Sequence, residues 1–215
     1  MIIPVLKKFL PQTLVKISSP INGEISVVEQ FGRRKILIAN LTQSGPMVEK
    51  IWEPIIKKIA KDENKIAEVL ILGLGGGSLV KLANSYLKKI KITGLEIDPI
   101  IIDLGKKYFY LENFSNLKII NESADLFLNK TKLKFDLIFV DLYLGDKVPK
   151  NCESEIFLEN LKKSLTNNGL IVFNRLYYKN HIFEAKKFLD KLHKIFHYLS
   201  CRKYLTNFFI LVKKD

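Results

Sequence analysis

Residues 69–77 read Val-Leu-Ile-Leu-Gly-Leu-Gly-Gly-Gly, and residues 91–98 read Lys-Ile-Thr-Gly-Leu-Glu-Ile-Asp. A short apolar run leads into a glycine-rich turn, the turn opens a helical pattern, and a second apolar run ends in acids. Glycines let the backbone approach a ligand closely, and the first N–H groups of a helix are free to bind it. An acid about 20 residues on can bind ribose hydroxyls, and Glu96 lies 19 positions after Gly77. The stretch therefore predicts a nucleotide-type cofactor site.

The chain alternates strands and helices outward from this unit. Strands are predicted at 69–72, 91–96, 117–120, 135–140 and 170–174, and a closing strand pair at 198–202 and 208–213. Helices are predicted at 78–89, 99–108, 154–165 and 180–196, the third of them stopped by Asn-Asn-Gly at 167–169. This alternation implies a parallel α/β sheet with right-handed crossovers, and the closing pair adds an antiparallel edge.

The first 46 residues have a different pattern. Two strands, 25–29 and 35–41, flank a turn at 31–34, whereas residues 1–24 show no clear element. After a break at Gly45-Pro46, apolar spacing predicts a helix over 47–59. The sequence therefore predicts a small β-rich N-terminal domain, residues 1–46, ahead of a main domain, residues 47–215.

Composition limits the class of protein. The 215 residues are 47% hydrophobic, enough for a core. No apolar run reaches the roughly 18 residues that span a bilayer, and residues 1–10 lack a signal-peptide layout, so a cytoplasmic protein is predicted. Two cysteines give no disulfide framework. The three histidines have no acid or cysteine at ligand spacing, so no metal is predicted.

The formal net charge of +13 raises the question of a nucleic-acid partner. Of the 35 basic residues only four are arginine, the residue that nucleic-acid readers favour for bidentate contacts. The lysines are scattered in pairs along the chain. A solvated basic surface is the favoured interpretation, and an acidic partner stays open.

Four short motifs resemble those of the spermidine synthase-like group, which has the Rossmann-like class I S-adenosylmethionine-dependent methyltransferase fold. Leu-Thr-Gln-Ser at 41–44 is similar to its Gln-containing motif, and the turn at 73–78 to its Gly-Gly-Gly-Asp-Gly-Gly. Glu-Ile-Asp at 96–98 matches the end of its second strand. Val-Asp-Leu-Tyr-Leu at 140–144 stands where the family has Val-Asp-Ser-Ser-Asp-Pro, and 145–149 looks like the non-synthase branch. The resemblance implies a mostly parallel sheet with an antiparallel C-terminal strand pair.

The resemblance also implies roles for individual residues. Asp141 would orient or deprotonate the acceptor, whereas Asp98, from its own position before Pro99, is expected to act mainly as a helix cap. Ile97 would pack on the adenine, and an acid is expected near Ser123. The cofactor, S-adenosylmethionine or its decarboxylated form, is expected at Gly73, Gly75, Gly76, Gly77, Glu96, Ile97, Ser123, Ala124, Asp125 and Asp141. The acceptor is expected at Gln43, Glu53, Tyr143 and Asp146.

Departures from the family motifs bear on the acceptor. The second acid of the loop is replaced by Leu144, and the family's Tyr-His-Glu reads Ile-Trp-Glu at 51–53. These losses favour transfer of a methyl group to an unidentified small molecule, such as an amine. The alternative is a polyamine aminopropyltransferase, and a third interpretation is a non-enzymatic nucleotide- or nucleic-acid-associated module. An NAD-binding protein is a fourth, for which no dehydrogenase residues are evident. A homodimer through the N-terminal strands stays open.

Overall fold

The structure, a computed structural model, describes residues 10–62 and 65–214. Seven strands form the main sheet, in the order β10-β11-β9-β8-β5-β6-β7. Their bounds are β5 Glu68–Leu72, β6 Lys91–Glu96, β7 Leu117–Asn121, β8 Phe135–Val140, β9 Leu165–Leu176, β10 Tyr198–Tyr204 and β11 Asn207–Lys213. Strands β5 to β9 pair in parallel, and β11 is antiparallel to β9 and β10. This is the mostly parallel sheet with an antiparallel closing pair that the sequence predicts.

A second sheet precedes the main one. It is antiparallel throughout, in the order β1-β2-β3-β4, and its strands are β1 Gln12–Ser19, β2 Gly23–Gln30, β3 Arg33–Ile38 and β4 Leu41–Ser44. The prediction runs its second strand on to Leu41, where the unpredicted β4 begins, and it finds the β2–β3 hairpin but misses β1. This strand is exposed on nearly all of its residues, so no apolar alternation marks it in the sequence. The first nine residues lie outside the described part.

In the described ranges, 10–62 and 65–214, six helices cover the sheets. They are α1 Pro46–Asp62, α2 Ser78–Tyr86, α3 Pro99–Phe109, α4 Ala124–Lys130, α5 Glu155–Lys163 and α6 His181–Leu192. Helices α1 and α2 pack with residues such as Trp52 and Leu79 on one face of the main sheet. The other face is covered by α4, α5 and α6, whose Phe127, Phe157 and Phe188 lie in a second apolar cluster. None of the described helices is long and apolar enough to cross a bilayer.

A third cluster joins the two sheets. Ile25 and Ile36 of the small sheet are fully buried and pack with Ile101 and Leu104 of α3. Asp98 caps α3 by accepting the N–H of Ile100 at 3.0 Å, as the sequence predicts, and it links α3 to the small sheet by accepting from the side chains of Ser19 and Asn22. The small sheet is thereby held beside the glycine-rich turn.

The structure corrects two elements. The Asn-Asn-Gly run at 167–169 was expected to stop a helix, but it lies within a strand. Helix α5 already ends at Lys163, and β9 begins at Leu165 and includes residues 167–169. The register against β8 shifts there, so the Asn-Asn-Gly run is an irregularity within the strand. Helix α4 was not predicted, because its seven residues are too few for a clear helical period.

Candidate functional site

A cavity of about 530 Å³ lies at the carboxyl ends of the parallel strands, where open α/β sheets bind their ligands. The small sheet and the start of α1 form its opposite wall. The expected residues that line it are Gln43, Gly73, Gly75, Glu96, Ile97, Ser123, Ala124, Asp125, Asp141 and Tyr143. The cavity thus brings together most of the residues expected from the sequence.

The glycine-rich turn packs tightly on three sides. A Cβ on Gly73, which has φ +90°, would lie 2.2 Å from the carbonyl oxygen of Asp141. Gly76 and Gly77, where cofactor contacts are also expected, do not line the cavity. A Cβ on Gly76 would meet Ile36 at 2.9 Å, and one on Gly77 would meet Leu111 at 2.2 Å. These two glycines allow close packing of the turn against its neighbours.

Glu96 ends β6 inside the cavity and is 8% exposed. Its two carboxylate oxygens accept the N–H groups of Gly75 at 2.9 Å and Asp98 at 3.1 Å. Burial raises the pKa of Glu96, and these two hydrogen bonds partly oppose the rise. Each oxygen keeps acceptor capacity for a further donor, which suits a pair of hydroxyl groups.

The end of β7 contributes a second group of acids. Asp125 and Glu122 both line the cavity. Desolvation raises the pKa of Asp125, whereas hydrogen bonds from Asn151, from Ser123 and from nearby backbone N–H groups lower it. The hydrogen bonds together outweigh desolvation, so the pKa of Asp125 is below its usual value. Glu122 forms an ion pair of 2.5 Å with Lys130. Asp125 therefore remains an anion at neutral pH.

Asp141 immediately follows β8 and is held by two side chains. The indole Nε1 of Trp52 donates to Oδ2 at 3.1 Å, and Nδ2 of Asn174 donates to Oδ1 at 2.9 Å. Asn207 in turn donates to Oδ1 of Asn174 at 2.8 Å. Burial raises the pKa of Asp141, while the Asn174 and Trp52 hydrogen bonds lower it in part. The carboxylate is thus fixed in orientation and is a better proton acceptor than an exposed aspartate.

Tyr143 and Gln43 hold the wall around Asp141. The Tyr143 hydroxyl donates to the carbonyl of Asn174 at 3.1 Å and accepts the N–H of Leu176 at 2.9 Å. Burial, and then the charge of Asp141, raise the pKa of Tyr143, so it stays protonated and is no candidate base. Gln43 donates to the carbonyl of Gly145 at 3.3 Å and links the small sheet to the loop after β8.

Two residues with expected acceptor contacts, Glu53 and Asp146, lie outside the lining of the cavity. Glu53 lies on the far side of α1, where it accepts a hydrogen bond from Tyr86 and pairs with Lys57 at 3.0 Å. Asp146 points away from the cavity toward His181, with 3.4 Å between Oδ2 and Nε2. Neither residue lines the cavity. The motif match placed both near the acceptor, but the helix and loop turn them outward.

The sequence interpretation missed the donors to Asp141. The motif comparison indicates the loss of a polar neighbour at Trp52, the chain's single tryptophan, yet the indole N–H reaches the carboxylate. It is fully buried and makes edge contacts with Phe139 and Phe209 at 5.4 and 4.8 Å. Asn174 at the end of β9 had a usable signal, because a polar residue closing a buried parallel strand faces the ligand edge.

The charge of the lining contrasts with that of the chain. Among the residues that the structure describes, the lining contains no Lys, Arg or His, although the chain has 35 Lys and Arg residues. Four carboxylates line the same space: Glu96, Glu122, Asp125 and Asp141. Such a cavity favours a cationic ligand.

The strand order, the glycine turn and the acid that ends the second parallel strand define a Rossmann-like domain of the class I methyltransferase type. A family model for the spermine/spermidine synthase domain matches residues 50–213. The chain belongs to this family, as its motifs predict.

Relatives and solved structures agree with this assignment. A polyamine aminopropyltransferase of Buchnera aphidicola is 36% identical over 182 residues, which cover 81% of this chain and 59% of that protein. One from Vibrio vulnificus is 28% identical over 135 residues, covering 60% of this chain and 45% of that protein. The chain therefore spans about half the length of these relatives. The activity in both names, aminopropyl transfer, is the one that the sequence analysis gives as the alternative to methyl transfer.

Two solved structures show the fold. Spermidine synthase in complex with the transition state analogue AdoDATO has a TM-score of 0.80 at 15% identity, covering 95% of this chain and 74% of that one. Human methyltransferase-like protein 13 in complex with SAH has a TM-score of 0.63 at 20% identity, covering 78% of this chain and 82% of that one. The predicted fold class is confirmed.

Proposed function

We propose that this chain transfers an aminopropyl group from decarboxylated S-adenosylmethionine to an amine. The observation that carries the proposal is the charge of the cavity, which has four carboxylates and no basic side chain among the described lining residues. Donor and acceptor are both cations in this reaction. The names of the aminopropyltransferase relatives support the same choice.

Glu96 is the residue proposed to bind the ribose of the donor, since its oxygens keep free acceptor capacity beside the glycine turn. Ile97, 43% exposed at the cavity, offers an apolar surface for the adenine. A donor that retained its carboxylate would add an anion among four acids and find no basic side chain there. The lining thus favours the decarboxylated donor.

Asp141 is the proposed catalytic residue. The acceptor arrives as an ammonium ion and gives one proton to Asp141, which leaves a lone pair on nitrogen. That lone pair forms a bond to the propyl carbon next to sulfur, and the electrons of the breaking carbon–sulfur bond return to sulfur. The products are a secondary ammonium ion and methylthioadenosine, and Asp141 releases its proton to solvent.

Donor preference tests this proposal. The purified chain is incubated with decarboxylated S-adenosylmethionine and a mixture of mono- and diamines, and methylthioadenosine is measured by mass spectrometry. A parallel reaction contains S-adenosylmethionine and is assayed for S-adenosylhomocysteine. Methylthioadenosine is expected, at least tenfold above the other product.

Methyl transfer is the second candidate, favoured by Leu144, which lines the acceptor side with an apolar side chain. Accumulation of S-adenosylhomocysteine alone would reject aminopropyl transfer and support methyl transfer. The domain boundary at residues 46 and 47, the location in the cytoplasm and the homodimer stay predictions.

A further inference from the structure

The carboxylates of the cavity are unevenly distributed. Glu96 ends β6, and Glu122 and Asp125 follow β7, on one side of the glycine turn. The other side is built by the ends of β8 and β9 and the start of β11, and there Asp141 is the single carboxylate among the described lining residues. A ligand bound on that side therefore meets one negative charge.

Nearby acids do not add to this charge. Glu53 is held by Tyr86 and Lys57 on the outer side of α1. Asp146 pairs with His181, and Glu153 forms an ion pair of 2.5 Å with Arg175. None of the three acids lines the cavity.

The wall around Asp141 combines polar groups, such as those of Gln43, Tyr143 and Asn174, with an apolar surface. Leu41 and the first turns of α1 face the loop after β8 across the cavity, and the apolar lining side chains are Leu41, Met47, Val48, Ile51, Leu142 and Leu144. Met47 is 54% exposed and Leu144 is 42% exposed. Both leave apolar surface open to a ligand at the cavity.

We propose that the acceptor is an amine with a single positive charge and an apolar body, such as an alkylamine. This inference rests on the proposed function and names its substrate class. The ammonium group pairs with Asp141, and the hydrocarbon chain lies against Met47 and Leu144. A diamine would place its second ammonium ion against the apolar wall without a carboxylate, which is costly because a desolvated charge needs a partner.

A matched pair of amines tests this inference. Pentylamine and 1,5-diaminopentane have the same length and differ by one terminal ammonium group. With decarboxylated S-adenosylmethionine as donor, kcat/KM for pentylamine is expected to be roughly tenfold or more above that for the diamine. A higher kcat/KM for the diamine, or for spermidine, overturns the inference.

Variants of Leu144 test the cause. Leu144→Asp adds a second carboxylate and is expected to shift the preference toward the diamine by roughly tenfold, whereas the neutral Leu144→Asn is not. Leu133→Asp is the matched control, since Leu133 is 51% exposed in the loop before β8, at the opposite edge of the sheet. An unchanged preference in Leu144→Asp counts against the inference.

A binding measurement distinguishes failure of the proposed function from failure of the inferred acceptor class. If no aminopropyl transfer occurs, the melting temperature is measured with each amine in the presence of methylthioadenosine. A larger rise with pentylamine than with the diamine supports the acceptor class even then. An equal or larger rise with the diamine rejects it.

Discussion

The indole Nε1 of Trp52 donates a hydrogen bond of 3.1 Å to Oδ2 of Asp141 and so links α1 to the end of β8. The two residues are 89 positions apart in the chain. A donor to a carboxylate stabilises its charged form and lowers its pKa. Trp52 therefore limits how far burial raises the pKa of Asp141.

Replacing Trp52 by Phe removes this donor and keeps an aromatic ring in the core. The pKa of Asp141 is expected to rise, since the lost hydrogen bond favours the charged carboxylate. Because Asp141 acts as an anion, the pH below which kcat/KM falls should move upward with it. Phe209→Leu loosens the packing of Trp52 without removing its N–H, so its pH profile should stay in place. Equal profiles for Trp52→Phe and wild type would contradict the assignment.

Glu96→Ala should weaken the binding of methylthioadenosine and of S-adenosylhomocysteine by at least tenfold. The carboxylate would lose its bonds to the ribose, each worth about 1.5–3 kcal/mol when charged. Isothermal titration calorimetry measures both affinities. Glu122→Ala removes the same charge from a side chain that already pairs with Lys130, and a smaller loss is expected there. Unchanged affinity in Glu96→Ala would remove Glu96 from the site.

The main sheet could be predicted almost completely, since buried parallel strands such as Phe135–Val140 are continuous apolar runs bounded by turns. The glycine turn and Glu96 were found for the same reason: their spacing along one strand–helix–strand unit fixes them in space. These features depend on neighbours in sequence. Local pattern is enough for them.

The donors to Asp141 could not be found this way. Trp52 and Asn174 reach the carboxylate from α1 and β9, and only the packing of those elements brings them together. Glu53 shows the opposite error, because it was expected in the site and lies outside it. It follows Trp52 directly on α1, so its side chain leaves the helix in a different direction and contacts Tyr86. Motif matching gives the residue type but not the face of the helix.

Asp141→Asn is expected to leave the fold and the affinity for methylthioadenosine largely intact. It should lower the transfer rate by roughly 10²-fold or more, as expected for loss of a general base. Single-turnover assays with saturating donor measure the rate, and circular dichroism checks the fold. Normal turnover in the variant would mean that the acceptor needs no base from Asp141.

Ser19→Ala should lower the free energy of unfolding by about 1–2 kcal/mol. The Ser19 hydroxyl donates to the fully buried Asp98 and accepts the N–H groups of Ile21 at 3.0 Å and Asn22 at 3.2 Å. Its loss leaves buried polar groups without one partner. Ser18→Ala, at the exposed neighbouring position, should change stability by less than about 0.5 kcal/mol. Urea unfolding measures both, and equal effects would contradict the role given to Ser19.

Comparing the stability of Gly73→Ala with that of Gly145→Ala separates the effect of a steric clash from the effect of backbone strain. Both glycines have positive φ, +90° for Gly73 and +64° for Gly145, so alanine is strained at either position. A Cβ on Gly145 would meet nothing within 4 Å, so only the strain of about 1–2 kcal/mol applies. At Gly73 it would lie 2.2 Å from the carbonyl oxygen of Asp141, and neither backbone can yield without moving the turn or the end of β8. Gly73→Ala should therefore cost roughly 3 kcal/mol or more in urea unfolding. Gly73→Ala should also weaken the binding of methylthioadenosine. If it lowers the free energy of unfolding no more than Gly145→Ala does, the turn does not depend on its close approach to Asp141.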